Sequence, residues 1–521
     1  MRKICWIDLG PYGQFLPGAP ASSESWQDHG LGLLRTILHR HGVYTEVESV
    51  KNHLDIDTLM PRLRRFECLL MNVRSYNFWQ ARDIARRYKE MLPSGLVIVG
   101  GMHASVNLEE MKAETAFDRI CVGPGESIVV DLVSHPEKFE RVVQGVAAAR
   151  MDDWPPIDRR LWPRPLHGSS FFPLEPTVPT WNPPPVATVL TSRVCPWRCS
   201  FCNEASYIDS ISRRSVDSVI DELNRLDIDH GPLGSVVIHD SMFFQQPAWL
   251  EEWLEKYPRR ARKVWPYWAA ARADTVRRWP ELFSRLVLET NWNIVSIGLE
   301  SGSDRTLLTL NKECTAQDNL FAIGLINQLG DEQQARGVTP VKLFSNVMFG
   351  VPGETREDVL DTMAMVSMIK RQSISPSLYA PYPGGALGYQ LIAEGKSLLD
   401  TDSMNRNPDR AKAEGVDYEF IRACWRGEHA AAVAQRRPRW LASKLDARGG
   451  IPKIERFGAA QSLFSFPMKN GKVKISWGSD AEQAAQVLRI RLTPEELEQV
   501  DFSAARKHNQ RQLQSLVPDL G

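Results

Sequence analysis

The sequence has no long hydrophobic run and no excess of charge of either sign. No stretch approaches the roughly 18 uninterrupted apolar residues of a membrane-spanning helix. The 63 Lys and Arg residues balance the 63 Asp and Glu residues, so no overall positive field favours nucleic acid. The amino-terminal apolar run is interrupted by Asp8 and lacks the features of a signal peptide. We therefore expect a cytoplasmic protein that binds neither nucleic acid nor a membrane.

Cysteine is also scarce, with eight in 521 residues. Five are scattered singly, and a buried, hydrophobe-like thiol is the expected state of each. These five are Cys5, Cys68, Cys121, Cys314 and Cys424. The other three are crowded into one segment, where an odd number cannot pair evenly. Without a secretory signal, disulfides are therefore not expected.

The crowded cysteines lie in the segment S-R-V-C-P-W-R-C-S-F-C-N-E, which follows a strand-like run. They have the spacing C-x3-C-x2-C and are Cys195, Cys199 and Cys202. Three thiolates from one loop can hold three irons of a [4Fe-4S] cluster and leave the fourth iron without a protein ligand. The alternative is a structural zinc site, which needs a fourth ligand. The nearest downstream candidates, Asp209 and His230, are not at a zinc-finger spacing.

The cysteine spacing, with the aromatic Phe201 just before the last cysteine, resembles the motif of the radical S-adenosylmethionine (SAM) enzymes. This resemblance implies that the open iron chelates the amino and carboxylate groups of SAM. Later segments resemble the same family in their order and spacing. They are H-D-S-M-F-F at 239–244, A-R-A-D-T at 271–275, G-L-E-S-G at 298–302, N-K at 311–312, F-G-V-P-G-E-T at 349–355 and P-Y-P-G at 381–384.

Alternating strand-like and helix-like runs predict an α/β protein with parallel sheets. Residues 1–134 are expected to form a Rossmann-like domain, and 135–185 a linker rich in Pro and Trp. Residues 186–385 are expected to form a partial (β/α)6 barrel. Residues 386–521 are expected to form a small, α-rich carboxy-terminal domain with a β-hairpin around Asn470-Gly471.

Two glycine-containing segments follow the fourth and fifth predicted strands, G-G-M-H-A-S and G-P-G-E. Glycine lets the backbone approach a bulky ligand closely, although ordinary βα turns use it too. Placed before the cysteine loop, these segments resemble the cobalamin-binding domain of cobalamin-dependent radical SAM enzymes. The implied contacts are Gly100, Gly101, His103, Ala104, Gly123, Gly125 and Glu126. The D-x-H-x-x-G motif is absent, which implies base-off cobalamin without an axial histidine; a His103 bonded to the backbone is the alternative.

The strand ends of the second half provide the residues expected to bind SAM. They are Asp240, Ser241, Arg272, Glu300, Gly350 and Gly353. A carboxylate such as Glu300 can accept both ribose hydroxyls, and Arg272 can pair with the SAM carboxylate through its planar fork. Asp240 and Ser241 can accept from the ammonium group, and the two glycines let backbone lie against SAM. The alternatives are a salt bridge for Glu300 and a helix cap for Asp240.

The resemblance also implies the chemistry. In this family, the reduced cluster cleaves SAM to a 5′-deoxyadenosyl radical, which takes a hydrogen atom from an unactivated carbon. That carbon then receives the methyl group of methylcobalamin. A second SAM remethylates the corrinoid. An electron donor such as flavodoxin or ferredoxin is required. No catalytic acid or base stands out in the sequence.

The resulting prediction is a C-methyltransferase acting on a small-molecule or peptide substrate in specialised metabolism. One alternative is a cobalamin-dependent oxidative cyclase or ring-rearranging enzyme without methyl transfer. Another is a non-catalytic iron-sulfur and corrinoid redox protein. A basic run in the carboxy-terminal part is predicted to be a solvated helix face or a site for an anionic substrate group. It comprises Arg436, Arg437, Arg439, Lys444 and Arg448.

Overall fold

Two six-stranded parallel sheets form the framework of the protein. The computed structural model describes residues 2–9, 28–50, 56–146, 150–161, 183, 185–204, 212–399 and 410–444, and four short strands between 453 and 501. Within these residues, no helix is long and apolar enough to cross a lipid bilayer.

The first sheet is doubly wound. Its strands are β1 (Ile4–Asp8), β2 (Thr45–Ser49), β3 (Cys68–Asn72), β4 (Leu96–Gly100), β5 (Arg119–Val122) and β6 (Val142–Gln144). Every neighbouring pair is parallel, in the order β2-β1-β3-β4-β5-β6. The winding reverses between β1 and β3, the point at which such sheets bind ligands. The helices of this half are α1 (His29–Arg40), α2 (Ile56–Leu63), α3 (Phe78–Met91), α4 (Met102–Val106), α5 (Leu108–Ala113) and α6 (Val129–Ser134).

Successive side chains of these strands pack on opposite faces of the sheet. Trp6 and Leu70 pack with residues of α1 and α6, whereas Ile7 and Met71 pack with residues of α2 and α3. Because helices cover both faces, β1, β3 and β4 are nearly continuous apolar runs rather than alternating ones. The edge strand β2 is more polar, and it too is predicted from the alternation of strand-like and helix-like runs.

The sixth strand is a feature that the sequence analysis misses. Val142 pairs with Ile120, so β6 belongs to the first sheet although it lies in the segment predicted as a linker. Three residues are too short for a periodic pattern to be visible. The first sheet therefore extends past residue 134.

The second sheet curls into an open half-barrel, as the sequence predicts. Its strands are β7 (Val186–Val189), β10 (Ser235–Ile238), β11 (Tyr267–Ala271), β12 (Trp292–Glu300), β13 (Lys342–Phe349) and β14 (Gln372–Leu378), all parallel. Two short antiparallel strands, β8 (Ser192–Arg193) and β9 (Ser212–Arg213), lie beside it. The surrounding helices are α7 (Val216–His230), α8 (Pro247–Arg260), α9 (Ala273–Arg278), α10 (Pro280–Glu289), α11 (Asp304–Thr309), α12 (Ala316–Ala335), α13 (Arg356–Val366) and α14 (Ala386–Ala393).

The next two helices, α15 (Tyr418–Trp425) and α16 (Ala430–Lys444), pack on the half-barrel and share its core. Trp440 is buried and donates its indole N–H to the carbonyl oxygen of Gly302 at 2.8 Å. Arg436, one of the predicted basic residues, pairs with Asp361 of α13. These contacts give α16 a structural role in the outer layer of the barrel.

The remaining strands form a small separate sheet. They are β15 (Lys453–Arg456), β16 (Ser462–Pro467), β17 (Val473–Trp477) and β18 (Val500–Asp501). The β16 and β17 strands pair antiparallel, as a hairpin requires. The predicted turn at Asn470-Gly471 lies outside the described residues.

Candidate active site

The base of the cysteine loop is fixed by a buried carboxylate. Asp240, after β10, accepts hydrogen bonds from the backbone N–H groups of Thr191 (2.6 Å) and Ser192 (3.1 Å) and from both hydroxyls. Burial raises the pKa of Asp240, and these bonds and the nearby Arg213 act in the opposite direction. Asp240 is predicted to bind the SAM ammonium, but its visible contacts hold the backbone that leads to Cys195.

Two other segments hold the middle of the loop. Ser200 donates its N–H to the carbonyl of Leu310 at 2.9 Å, and Leu387 donates to the carbonyl of Ser200 at 2.9 Å. The Asn311 side chain donates to the carbonyl of Arg198 at 2.7 Å. The predicted N-K segment thus borders the cysteine loop, and Gly384 of P-Y-P-G lies against the side chain of Asn203. The three hydrogen bonds all involve backbone atoms of the loop, which gives it a defined shape.

The three cysteines are free thiols that lie close enough for the charge of one to raise the pKa of another. Cys199 is buried, and the other two are partly buried. Burial raises the pKa of Cys202 to about 12; a hydrogen bond from the Glu204 backbone opposes this, and the charges of Glu204, Cys199 and Cys195 add to it. Within the described residues, no three His, Cys, Asp or Glu side chains gather as they would around one ion. Three thiols in one loop are the donor set of a cluster with one open iron and do not complete a zinc site.

Arg272, at the end of β11, lies against the cysteine loop. Its Nη1 approaches the sulfur of Cys199 at 3.6 Å, and its guanidinium lies 4.5 Å from the ring centre of Trp197. The Nε atom donates to Asp274 at 2.9 Å, and Nη2 donates to the carbonyl of Lys312. Arg272 is predicted to pair with the SAM carboxylate. In the structure, each of its three nitrogens already has a protein partner.

Glu300 is held in an unusual backbone conformation at the end of β12. Its φ is +58°, in the left-handed region that non-glycine residues seldom adopt. Its carboxylate accepts from Lys312 at 3.1 Å, and both side chains are buried. A Cβ at Gly298 would lie 2.2 Å from the Glu300 carboxylate and 3.1 Å from the Lys312 ammonium, so a side chain there would displace this pair. The salt-bridge alternative thus describes the observed contact, and ribose binding stays a prediction.

A cavity of about 440 Å³ lies where the two sheets face each other. This size is within the range of cofactor and ligand pockets. The first sheet contributes most of the predicted cobalamin contacts, namely Gly100, Gly101, Gly123, Gly125 and Glu126. The half-barrel contributes Leu190, Ser192, Arg193, Val194, Glu204, His239 and Ser241. The structure therefore brings the glycine segments and the entrance to the cysteine loop to one cavity.

Gly101, which lines the cavity, is packed so tightly against the end of β3 that no side chain fits there. Its φ is +99°, and a Cβ there would lie 2.1 Å from Oδ1 of Asn72 and 2.7 Å from the carbonyl oxygen of Val73. Asn72 is itself fixed by donating to Asp28 at 2.6 Å. Glycine at this position therefore lets the β4–α4 turn pack closely on the end of β3, beside the cavity. The cavity continues as an apolar space between the sheet and α1 and α6, lined by Leu31, Leu70 and Val129.

Glu126 connects the two halves of the protein. One of its oxygens pairs with Arg193 at 2.6 Å, and the Arg193 guanidinium lies 4.0 Å from the ring centre of Trp154. The other oxygen is buried at the cavity and has no hydrogen-bond partner among the described residues. A buried polar atom of this kind is costly unless a ligand satisfies it. Corrin amide N–H groups are suitable donors, so Glu126 fits the predicted cofactor.

His103 and Ala104 are placed elsewhere. His103 is buried, with one ring nitrogen 3.0 Å from the hydroxyl of Ser75 and the other 3.0 Å from the carboxylate of Glu110. Its ring also packs against Phe78. Ala104 belongs to the core on the α2 and α3 side of the sheet. Neither lines the cavity. The ring of His103 is bonded to two side chains and not to backbone as the alternative has it, and its contact with the cofactor stays a prediction.

Gly350 and Gly353 lie at the end of β13, away from the cavity. The N–H of Gly350 donates to Glu354 at 2.6 Å, and a Cβ at Gly350 would approach Tyr418 of α15 at 3.3 Å. The carbonyl of Gly353 accepts from Arg305 at 2.8 Å. Burial raises the pKa of Glu354 to about 8. Contact of these glycines with SAM stays a prediction.

The sequence analysis does not identify three polar residues that line the cavity, Arg193, Glu204 and His29. Glu204 hydrogen-bonds Ser241, and burial raises its pKa. His29 lies 3.1 Å from the hydroxyl of Thr188, and burial with nearby Arg159 lowers the pKa of this imidazole well below its usual value. His29 follows a run without strand or helix pattern, so no sequence signal marks it. Arg193 and Glu204 flank the cysteines and could have been found by position.

Comparison with known proteins gives matches in both halves of the chain. The family model for the radical SAM superfamily matches residues 189–366. The anaerobic magnesium-protoporphyrin IX monomethyl ester cyclase of Cereibacter sphaeroides is 22% identical over 74% of this chain and 64% of that protein. The hopanoid C-3 methylase of Methylococcus capsulatus is 25% identical over 58% of each chain. This chain thus spans less than two thirds of the length of either relative.

Two solved structures share the arrangement of both sheets. The methyltransferase TsrM of Kitasatospora setae, with cobalamin and a [4Fe-4S] cluster bound, aligns over 100% of this chain and 99% of that chain. Its TM-score is 0.55 at 15% identity. The cobalamin-dependent enzyme OxsB, with aqua-cobalamin and SAM bound, aligns over 76% of this chain and 56% of that chain, with a TM-score of 0.53 at 16% identity.

The half-barrel and its cysteine loop therefore define the class: residues 189–366 form a domain of the radical SAM superfamily. Within that superfamily, its two-sheet fold is that of the cobalamin-dependent members TsrM and OxsB.

Proposed function

We propose that the protein is a cobalamin-dependent radical SAM C-methyltransferase that acts on an unactivated carbon of a small-molecule or peptide substrate. The observation that carries this proposal is the shared cavity. It is lined on one side by the glycine segments of the first sheet and on the other by the entrance to the cysteine loop. A methyl donor and a radical source that serve one substrate must lie close together.

Each cofactor has a set of residues that fits it. Cys195, Cys199 and Cys202 would hold a [4Fe-4S] cluster, with one iron open to SAM. Gly101, Gly123 and Glu126 line the cavity in which a corrinoid would lie, and the unpaired oxygen of Glu126 would accept a hydrogen bond from it. When bound, these groups supply a 5′-deoxyadenosyl radical and a methyl group. Flavodoxin or ferredoxin is the electron donor that we expect.

The protein's own residues position the cysteine loop and shield the reaction from water. Asp240 fixes the start of the cysteine loop. The Asn311 side chain and the backbone of Leu310 and Leu387 hold its middle. The apolar walls limit water near a reactive carbon radical. Ser241 and Glu204 form a polar pair on the half-barrel side of the cavity, where they can orient a polar group of SAM or substrate.

A second reaction type is supported by a specific comparison. The cyclase of Cereibacter sphaeroides matches 74% of this chain, more than the methylase does. Cyclisation would use the same cofactors without incorporating a methyl group into the product. The two reactions therefore differ in the fate of the SAM methyl carbon.

Labelled SAM separates these possibilities. The enzyme, reconstituted with iron, sulfide and hydroxocobalamin, is incubated anaerobically with reductant and an extract of a strain lacking the gene. SAM carries a deuterated methyl group. We expect one metabolite of the extract to gain that label. A metabolite that is consumed while its product remains unlabelled would favour cyclisation and would contradict methyl transfer.

A further inference from the structure

The surroundings of Cys199 include a buried cation that the SAM-binding prediction does not explain. Arg272 is 2% exposed, and its Nη1 atom lies 3.6 Å from the sulfur of Cys199. Thiolate sulfur is a weak acceptor, and a charged donor makes the strongest bond that it can form. Arg272 therefore contacts the metal-binding atom of one predicted ligand directly.

The orientation of Arg272 is fixed from three directions. Asp274 accepts from Nε at 2.9 Å, and the carbonyl of Lys312 accepts from Nη2. Trp197, which lies between the first two cysteines, covers the face of the guanidinium at 4.5 Å. With these partners in place, Nη1 is held toward the sulfur. A long, flexible side chain is thus pre-organised by the loop that it supports.

A second buried cation reinforces this setting. The Lys312 side chain is paired with Glu300 at 3.1 Å, and its ammonium lies 5.8 Å from the ring centre of Phe201, the aromatic residue before Cys202. Charge and hydrogen bonds at the sulfurs set the reduction potential of iron-sulfur clusters. A donor at a thiolate stabilises the reduced state, which carries one more negative charge.

We infer that Arg272 acts through Cys199 to make the cluster easier to reduce, rather than binding the SAM carboxylate. This inference rests on the cluster of the proposed function, but it concerns the potential of that cluster and not the substrate. A positioning role of this kind predicts a change that can be measured without SAM, cobalamin or turnover.

The test is a redox titration of the reconstituted full-length protein, followed by the electron paramagnetic resonance signal of the reduced cluster. Iron content is measured for each variant. For Arg272→Gln we expect the ratio of reduced to oxidised cluster to fall at least about tenfold at a fixed potential. For a one-electron couple this is a shift of about 59 mV to more negative values. Arg272→Lys keeps the charge but not the fork, so its shift is smaller and has the same sign.

Arg277→Gln is the matched control. Arg277 lies on α9 and pairs with Asp318 at 2.9 Å, so its loss is expected to leave the potential at the wild-type value. If Arg272→Gln assembles no cluster, Arg272→Lys still tests the inference, since it keeps the charge and removes Nη1. A wild-type potential in Arg272 variants with full iron content overturns the inference. A wild-type protein that binds no cluster overturns the proposed function itself.

Affinity for SAM gives a second readout that distinguishes the two roles. If Arg272 paired with the SAM carboxylate, Arg272→Gln would weaken SAM binding to the oxidised cluster about tenfold or more. Under our inference, SAM affinity stays within about twofold of wild type while the potential shifts. A large loss of SAM affinity at an unchanged potential would restore the sequence-based role and contradict ours.

Discussion

Gly101→Ala tests the cavity wall on the cobalamin side. The added Cβ would lie 2.1 Å from Oδ1 of Asn72 and 2.7 and 2.8 Å from backbone atoms of Val73. Asn72 is tied to Asp28 and cannot turn away without losing that bond. Backbone at the end of β3 must therefore shift, at the point where the sheet reverses its winding.

The cost has two parts. A residue with a Cβ at a φ of +99° is strained by roughly 1–3 kcal/mol. Forcing a methyl group into filled space adds about 1–3 kcal/mol. We therefore expect the free energy of unfolding of Gly101→Ala to fall by about 2–6 kcal/mol. Because Asn72 and Gly101 border the cavity, affinity for hydroxocobalamin should also fall at least about tenfold, which corresponds to about 1.4 kcal/mol.

Gly42→Ala is the control for this prediction. Gly42 has a φ of +75°, but a Cβ there meets nothing within 4 Å. The free energy of unfolding of Gly42→Ala should fall only by the cost of the backbone strain, about 1–2 kcal/mol. This variant should bind hydroxocobalamin as the wild type does. Urea denaturation followed by circular dichroism gives the stabilities, and visible titration gives the affinities. Equal stability losses in both variants, with cobalamin binding intact in Gly101→Ala, would refute the reasoning.

Three further predictions concern other parts of the molecule. Cys199→Ala should lose bound iron and visible cluster absorption while Cys424→Ala retains them; unchanged iron content would contradict the assignment of the ligand. Glu126→Gln and Arg193→Gln should each weaken cobalamin binding several-fold. The binding free energy lost by the double variant should be smaller than the sum of the two single losses by at least about 0.5 kcal/mol. The pKa of Glu354 is raised to about 8 by burial, so the folded state holds a proton that the unfolded state releases near pH 4.5. The free energy of unfolding of the wild type should therefore decrease as the pH rises from about 5 to 8, whereas melting curves of Glu354→Gln should show no such decrease. A parallel pH dependence of the two proteins would argue against this role of Glu354.

Patterns confined to short stretches of sequence predict much of this fold. The apolar runs of β1, β3 and β4 are visible because helices cover both faces of their sheet. The cysteine spacing marks its loop because the ligands of one cluster lie within a few residues of one another. The strand ends of the half-barrel are predicted because parallel strands point the same way.

Contacts between distant residues are not visible in such patterns. Arg272 is separated from Cys199 by 73 positions, and nothing near either residue indicates that they meet. Glu126 is identified as a cofactor contact, but its pairing with Arg193 depends on how the two sheets face each other. His103 lies in a glycine-rich segment, and only Ser75 and Glu110 turn it toward the core.

The central claim is that the cysteine loop holds a cluster with an open iron that binds and splits SAM. The most direct measurement is chromatographic detection of 5′-deoxyadenosine after anaerobic incubation of the reconstituted protein with SAM and dithionite. We expect 5′-deoxyadenosine to form with wild type and to be lost in a variant with all three cysteines replaced by alanine. A wild-type protein that carries a full complement of iron and sulfide yet leaves SAM intact would contradict the claim.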